Sequence, residues 1–416
     1  MEMNSEVLIV SAYGRGHWLA ADLSLKGFKV ALADITGNMG RWTPADWEGP
    51  FGIFRTDRME SLQVSCLLED SPQEKVESGF SLWWDKGPLE LKGPLYKYQF
   101  LKSGLSVETE RYLMQKGEKK GVAGQEFHQK WLADLCHQAA ANVYLPSHEG
   151  MNYGSALPIF DDYSLRQSSL EGLERSLSWC KSQGVQVIPK VKIDDLYFEG
   201  KVIGGVELSC ANSGLYRTKY LIWCLSSEES QRTPDSVHGR LFPRGAISPQ
   251  WNWMRYRVVL DSDYFNDLLP SRFMLIENIY LSWTHSNLSF VQKTVKKGDY
   301  DVWMRVPSSQ RFQGAYLKSL GDELTGLFER KLPGSKTQVQ DMPQDYYYDY
   351  SELGACPYPV FENSTLDRLK TGRYNNVYFD GPEYWENMNV NGRYRYQQQI
   401  RDDILAIKMK ETKERQ

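Results

Sequence analysis

At 416 residues the chain is long enough to bury a large core and has room for two or three domains. A net charge of −4 with a pI near 6.0 supplies no basic face for nucleic acid, so a nucleic-acid role is disfavoured. No run of about 18 apolar residues offers a transmembrane segment, no secretory leader pattern opens the chain, and the 6 cysteines lack C-x-x-C spacing, which together point to reduced thiols in the cytoplasm.

The first elements carry the most information. A short apolar strand, Glu6-Val7-Leu8-Ile9-Val10, runs into Ser11-Ala12-Tyr13-Gly14-Arg15-Gly16. A helix from Trp18 to Lys26, a turn at Gly27 and a strand from Lys29 to Ala33, ending at Asp34, follow. The order predicts a dinucleotide-binding β-α-β unit, with the two strands side by side and parallel because the helix between them forces a crossover. In such a unit one glycine makes the tight turn, a second bares the backbone to the pyrophosphate and a third lets helix and strand pack closely. Here Ser11, Tyr13 and Gly16 take those three places, so only the third glycine is kept. Tyr13 puts a phenol where a diphosphate should lie at the positive end of a helix. Sliding the frame to Gly14 and Gly16 shortens the helix by a turn and loses the acidic strand end. The first register therefore stands, and Asp34 takes the ribose-binding acidic position.

Further along, Leu170, Leu173, Leu177 and Cys180 recur at helical spacing, and the helix ends at Gly184 before a strand, Val185 to Ile188. Lys192 to Tyr197 and Lys201 to Leu208 read as strands joined by a turn at Glu199-Gly200, a small meander, with Lys219 to Leu225 as a buried strand after it. Met254 to Leu260, Phe273 to Trp283, Ser289 to Val295 and Asp301 to Val306 have the β-branched and aromatic content of antiparallel strands. Leu317, Leu320, Leu324, Leu327 and Phe328 mark one side of a helix from Tyr316 to Lys331 that stops at Pro333-Gly334. Last come Asn376-Val377-Tyr378-Phe379-Asp380-Gly381-Pro382, then Val390-Asn391-Gly392, a helix from Tyr394 to Met409, and a charged stretch, Lys408 to Gln416, expected to fray.

In this order the segments resemble the flavin-dependent amine oxidase and phytoene desaturase superfamily. The resemblance implies an α/β fold: a discontinuous Rossmann-like FAD-type domain from 1–80, 155–235 and 365–416, with an inserted α+β substrate- or partner-type domain from 81–154 and 236–364 on a mixed or antiparallel sheet. The block around Asp380-Gly381 is similar to the family's closing signature, in which a strand ending in Ala-Gly-Asp sends a carboxylate to the ribityl chain and a later glycine opens a helix near the flavin ring.

Carried over by position, the resemblance assigns cofactor contacts to Ser11, Tyr13, Gly16, Asp34, Gly40, Arg41, Ile193, Gly381, Glu383 and Gly392. Asp34, Gly16, Gly40, Gly381 and Gly392 match the family's pattern, and Ile193 sits where a second-domain strand offers backbone groups to the adenine. The other positions depart from it. Ser11 and Tyr13 replace glycines, Arg41 replaces the second of a Gly-Gly pair, and Pro382 stands where the ribityl-binding acid is usual, with Glu383 one residue on. Arg41 has two readings, a lost glycine or a bidentate phosphate ligand.

Two functions of different class follow. In one, the chain keeps the fold but not tight FAD and uses the old surfaces for a protein partner or an apolar small ligand, as a pseudoenzyme. In the other, it is an active FAD-dependent oxidoreductase that takes hydride from an apolar or amine substrate, with the flavin carrying the chemistry. No catalytic base stands out. His285, within Trp283-Thr284-His285-Ser286-Asn287, is a lone histidine of the kind that is more often structural. Trp83-Trp84, Tyr96, Tyr98, Tyr346-Tyr347-Tyr348, Tyr350 and Trp385 fit packing better than a substrate tunnel. His128, Cys136, His137 and His148 lack the short paired spacings of a metal site, so no metal is expected.

Overall fold

The computed structural model describes residues 3–38, 60–70, 80–84, 87–91, 170–210, 214–227, 229–242, 251–261, 267–270, 272–277, 285–294, 296–341, 358–360, 374–384 and 390–415. The N-terminal unit is β1 (Met3–Ser11), α1 (His17–Leu25) and β2 (Val30–Asp34). After α2 (Ser61–Asp70) come β3 (Phe80–Trp84) and β4 (Gly87–Leu91). The chain continues through α3 (Leu170–Ser182), β5 (Gln186–Ile188), β6 (Lys192–Glu199), β7 (Val202–Ser209), β8 (Gly214–Cys224) and α4 (Asp235–Leu241).

β1 and β2 lie parallel, with Val7 opposite Val30 and Ser11 opposite Asp34, as the crossover requires. β8 runs parallel to β1 on its other side, Ser11 opposite Cys224. The first sheet has the order β5-β2-β1-β8-β7-β6. β15 (Val377–Phe379) also joins β8, in parallel. The sequence pattern separates a meander from a later buried strand at Lys219, but one strand, β8, does both jobs. Its start at Gly214–Arg217 pairs antiparallel with β7, and its Leu221–Trp223 stretch pairs with β15. A single strand can do this because its two halves have different neighbours along the same edge.

Alternation along β1 sets the two faces of this sheet. Val7 and Ile9 join Leu32, Ile222 and Cys224 under the helices, meeting Trp18 and Leu19 of α1, Cys66 of α2 and Cys180 of α3. Leu8 and Val10 join Ala31, Ala33, Leu221 and Trp223 against the meander, through Ile193, Leu196, Val206 and Leu208. α1 is buried all round from His17 to Leu23, because α2, α3 and the C-terminal helix enclose it. Its apolar sequence therefore has no solvent face to pattern.

That last helix, α6 (Val390–Arg415), differs at both ends from the sequence expectation of Tyr394 to Met409. Gly392 lies inside its first turn rather than ahead of it, where a glycine costs little helix propensity. The charged terminal stretch is docked and helical rather than frayed. Lys408 Nζ stands 3.7 Å over the Phe28 ring and 3.7 Å from Glu6, and Lys219 pairs with Glu411.

The second sheet has the order β13-β9-β12-β11-β10-β3-β4, with β14 also on β9. Its further strands are β9 (Trp251–Leu260), β10 (Arg272–Ile276), β11 (His285–Lys293), β12 (Asp299–Pro307), β13 (Thr337–Asp341) and β14 (Tyr358–Val360). The pairings are antiparallel except for β10 with β3. The strand expected from Phe273 to Trp283 is shorter, and residues 278–284 lie outside the described ones. α5 (Gly314–Lys331) packs on this sheet with Leu317, Leu320, Leu324, Leu327 and Phe328 in one buried cluster with Met254, Tyr256 and Val302. Tyr256 Oη donates to the Leu317 carbonyl at 2.9 Å.

Gly16 is where α1 comes closest to the sheet. It holds φ 79°, and a Cβ there would lie 2.7 Å from Cys224 Sγ and 2.9 Å from Ile9 Cγ2. Gly27 has a similar φ of 81° with nothing within 4 Å. Gly16→Ala is expected to cost on the order of 3 kcal/mol, adding a clash to the φ penalty, and Gly27→Ala only about 1 kcal/mol, as read from urea unfolding midpoints. Equal losses would mean that the close approach at Gly16 is not tight.

Candidate functional site

The carboxyl ends of β1, β2, β8 and β15 meet on one side of the first sheet, the place where open α/β sheets bind ligands. β1 ends at Ser11, which is fully buried and donates from Oγ to the Arg15 carbonyl at 2.5 Å. The loop then turns through positive φ at Tyr13 (55°), Gly14 (77°) and Gly16 (79°). Tyr13 thus adopts the left-handed backbone that a glycine would take without strain. Its side chain is 1% exposed and belongs to the same buried cluster as Ile193.

Asp34 lies at the end of β2, across from Ser11. Its Oδ1 accepts from the Thr36 amide at 3.2 Å and from Thr36 Oγ1 at 2.6 Å, and Thr36 Oγ1 in turn accepts from the Tyr13 amide at 2.9 Å. Burial raises the Asp34 pKa, and the two Thr36 bonds oppose the rise. One carboxylate oxygen of Asp34, Oδ1, is thus taken up within the chain by Thr36.

Arg15 is the residue that sequence reading missed. Buried to 3% exposure, it reaches across to the turn after β8 and grips Glu229 with both arms, Nη1 to Oε2 at 2.5 Å and Nη2 to Oε1 at 2.8 Å. Its guanidinium also stands 5.5 Å over the Tyr13 ring. Glu229 Oε2 further accepts from the Ser226 amide at 2.8 Å, while the Glu229 amide donates to Ser226 Oγ at 3.0 Å. That reciprocal pair is a capping box, and Ser226-x-x-Glu229 was its signal in the sequence. Burial alone would raise the Glu229 carboxyl, but the Arg15 charge and fork, with the Ser226 bonds, outweigh it and hold it below the usual range.

Gly381 and Glu383 follow β15. Glu383 is 3% exposed and accepts the Ser227 amide on Oε1 at 2.6 Å. Its Oε2 has no hydrogen-bond partner. A Cβ at Gly381 would lie 2.5 Å from that oxygen and 2.9 Å from the Leu225 carbonyl, so glycine is needed for the turn to close. Burial pushes the Glu383 carboxyl up to about 8 against the amides of Glu383 and Ser227, with Glu229 adding to the rise and Arg15 opposing it. Asp380, also missed as a site residue, is fully buried, and its Oδ2 takes Gln397 Nε2 at 2.6 Å and Cys224 Sγ at 3.4 Å. Burial, with Asp380 beside it, keeps the Cys224 thiol protonated. On the helix side, His17 Nδ1 meets Ser176 Oγ at 2.5 Å, and burial followed by the Arg393 charge holds the imidazole neutral, down at about 3.

The structure thus gathers Ser11, Tyr13, Gly16 and Asp34 in one loop system, puts Ile193 in the same buried cluster as Tyr13, and brings Gly381 and Glu383 to the same strand ends. Gly392 lies in the first turn of α6, and Gly40 and Arg41 lie outside the described residues. His285 begins β11, and its side chain is outside the described ones, as are those of Trp83 and Trp84. His128, Cys136, His137, His148 and the remaining aromatic candidates also fall outside. Among the described residues no group of three or more His, Cys, Asp or Glu side chains is placed to hold a metal, and no helix is long and apolar enough to cross a membrane.

No protein-family model matches the sequence, and no curated protein matches it by sequence. Solved structures do match the fold. Wild-type putrescine oxidase bound to putrescine is similar at a TM-score of 0.56 and 13% identity, over 98% of this chain and 100% of that one. An oxidoreductase from Methanosarcina mazei is similar at a TM-score of 0.59 and 13% identity, over 97% and 100%. The fold is that of the FAD-dependent oxidoreductases of flavoprotein amine oxidase type, a Rossmann-like domain with an inserted domain.

The described residues of this loop do not fit the FAD diphosphate. Arg15, the buried cation of this loop, is already neutralised, and a phosphate about 4 Å from the Glu229 carboxylate would meet on the order of 4 kcal/mol of repulsion at an effective dielectric near 20. The bare backbone that a diphosphate needs carries Tyr13.

Glu383 gives a pH test. Its folded pKa is raised from 4.5 to about 8, so the folded chain holds the proton more tightly than the unfolded one. The resulting stability is fully present below pH 4.5 and is lost as pH rises through about 8. Glu383→Gln, which keeps an acceptor for Ser227, is expected to gain on the order of 3 kcal/mol on the wild type between pH 5 and pH 8 in chemical denaturation. A constant difference between the two proteins over that range would show that Glu383 ionises normally.

Proposed function

We propose that this chain is a flavoprotein-fold protein that does not retain FAD as a tight cofactor and uses the strand-end surfaces for a protein partner or an apolar small ligand. One observation carries the reading: the buried Arg15 fork closed on Glu229. Removing one member of such a pair typically costs about 3–5 kcal/mol, because the other charge is left buried and uncompensated. A diphosphate would have to take Arg15 from Glu229 and then lie beside the released carboxylate. Asp34, satisfied on one oxygen by Thr36, and the burial of Tyr13 in an apolar cluster support the same reading. We assign the cofactor-type domain to 1–80, 155–235 and 365–416, and the partner or substrate domain to 81–154 and 236–364, in a cytoplasmic protein.

A second reading, an active FAD-dependent oxidoreductase, is favoured by the loop backbone itself. Positive φ at residues 13, 14 and 16 and the close contact at Gly16 keep the course of a dinucleotide loop. One measurement separates the two. The unmodified protein is expected to purify without visible flavin absorbance, to release no FAD on denaturation, and to show no thermal shift with added FAD, since a ligand that binds only the folded state must raise its apparent stability. Stoichiometric FAD released on denaturation would overturn the proposal and establish the oxidoreductase.

A further inference from the structure

The β6–β7 hairpin, the C-terminal end of α4 and the chain entering β15 meet away from the carboxyl strand ends. Tyr374 and Asn375 precede β15, whereas Asp380, Gly381 and Glu383 follow it, so this meeting point lies at the other end of that strand. Each of the three segments is tied to the other two. The Asn375 amide donates to the Lys201 carbonyl at 3.0 Å, and Phe198 stacks on Tyr374 with ring centroids 4.6 Å apart. Tyr374 Oη donates to the Arg240 carbonyl at 3.1 Å. Arg240 Nη1 in turn donates to the Leu196 carbonyl at 2.5 Å and to Asp195 Oδ1 at 3.3 Å. Together they frame an open cavity of about 770 Å³ whose walls include Asp195, Tyr197, Phe198, Lys201, Arg240 and Tyr374. That size, with an aromatic lining and a few charged groups on a scaffold already tied in place, is what small-molecule sites have in common.

The charges around the cavity are unequal. Arg240 and Asp195 pair with side chains 44% and 36% exposed, and the Asp195 carboxylate also accepts the Leu196 amide at 2.8 Å. Lys201 is exposed and pairs with no carboxylate among the described residues. Two cations against one carboxylate leave one positive charge beside the rings. A monoanion matches that charge, and a flat apolar body matches the aromatic wall. We propose that this cavity is a binding site for a small aryl carboxylate, with the carboxylate beside Lys201 and Arg240 and the ring against Tyr197, Phe198 and Tyr374. The site is separate from the carboxyl strand ends and stands whether or not FAD is retained.

The test uses naphthoate as the probe, with neutral naphthylmethanol and cationic naphthylmethylammonium as matched controls. Calorimetric titration of the wild type at low salt is expected to give a Kd for naphthoate on the order of 0.1–1 mM. The alcohol is expected to bind about fivefold more weakly, and the ammonium more weakly still. Lys201→Gln removes an exposed charge and leaves the contacts that frame the cavity in place, so it is expected to weaken naphthoate by about fivefold with the melting temperature unchanged. Lys201→Glu is expected to reverse the order and prefer the ammonium. At saturating naphthoate, backbone amide exchange is expected to slow over residues 195–201 and 374–376 and to stay as it was over residues 8–16. A wild type that binds naphthoate no better than the alcohol, an unchanged affinity in K201Q, a K201E that still prefers naphthoate, or protection at residues 8–16 instead each overturns the site. None of these outcomes bears on FAD, and FAD released from the wild type overturns the preceding reading without touching this one.

Discussion

The ion pair between Arg15 and Glu229 joins residues 214 positions apart, and much of the first sheet's upper end is arranged around it. Both charges are buried, so neither has water to fall back on, and the desolvation cost is offset only because the geometry is bidentate and the remaining lone pair is matched. Glu229 meets that condition with the Ser226 amide. Arg15 in turn is held by a loop whose backbone is fixed at both ends, by Ser11 Oγ on the Arg15 carbonyl and by the Gly16 contact with Cys224 and Ile9. The strand register that sets Ser11 opposite both Asp34 and Cys224 is what brings these ends within reach.

The fold and the candidate site depend on different residues, so a fold shared at 13% identity does not fix what stands at the site. The sheet needs alternating apolar residues in β1, β2 and β8, a helix without a polar face between them, and one glycine where helix meets strand. All are present. Nothing in that list asks for a bare backbone at residue 13 or an open cation at residue 15. Tyr13 fills a place in the cluster under the meander, so its side chain contributes apolar burial on the order of 2 kcal/mol against a left-handed backbone cost of about 1–2 kcal/mol.

Legibility in the sequence followed the same division. The β-α-β unit, the helix ending at Gly184, the helix read as Tyr316 to Lys331 and the antiparallel character of the second sheet follow from periodicity and turn residues, because burial on one face writes a pattern. β8 reads as starting only at Lys219, its first half from Gly214 unmarked, because a strand with two successive neighbours changes its pattern partway along. The last helix reads short because Lys408, Lys410, Lys413 and Arg415 look like a solvated tail, and the docking of Lys408 on Phe28 and Glu6 and of Glu411 on Lys219 is a tertiary fact with no local mark. The departures at Ser11 and Tyr13 are visible in the sequence, as is the shift of the acid from residue 382 to Glu383. Arg15 was not found: an arginine between two glycines reads as an exposed loop residue, and only its partner's capping-box spacing was there to be seen.

The loop's backbone shape and its chemistry must therefore be weighed separately. Positive φ at residues 13, 14 and 16 is what a tight strand-to-helix turn demands when the helix must pack directly on the strand it leaves, whether or not anything binds there. Electrostatics decide what can enter. Arg15 and Glu229 cancel, His17 is neutral because burial and Arg393 hold its pKa low, and burial favours the neutral form of Glu383 below about pH 8. Among these four buried groups the charges nearly cancel at neutral pH. A dianion gains nothing there until it displaces Glu229, whereas a neutral ligand or an apolar partner surface meets no such barrier.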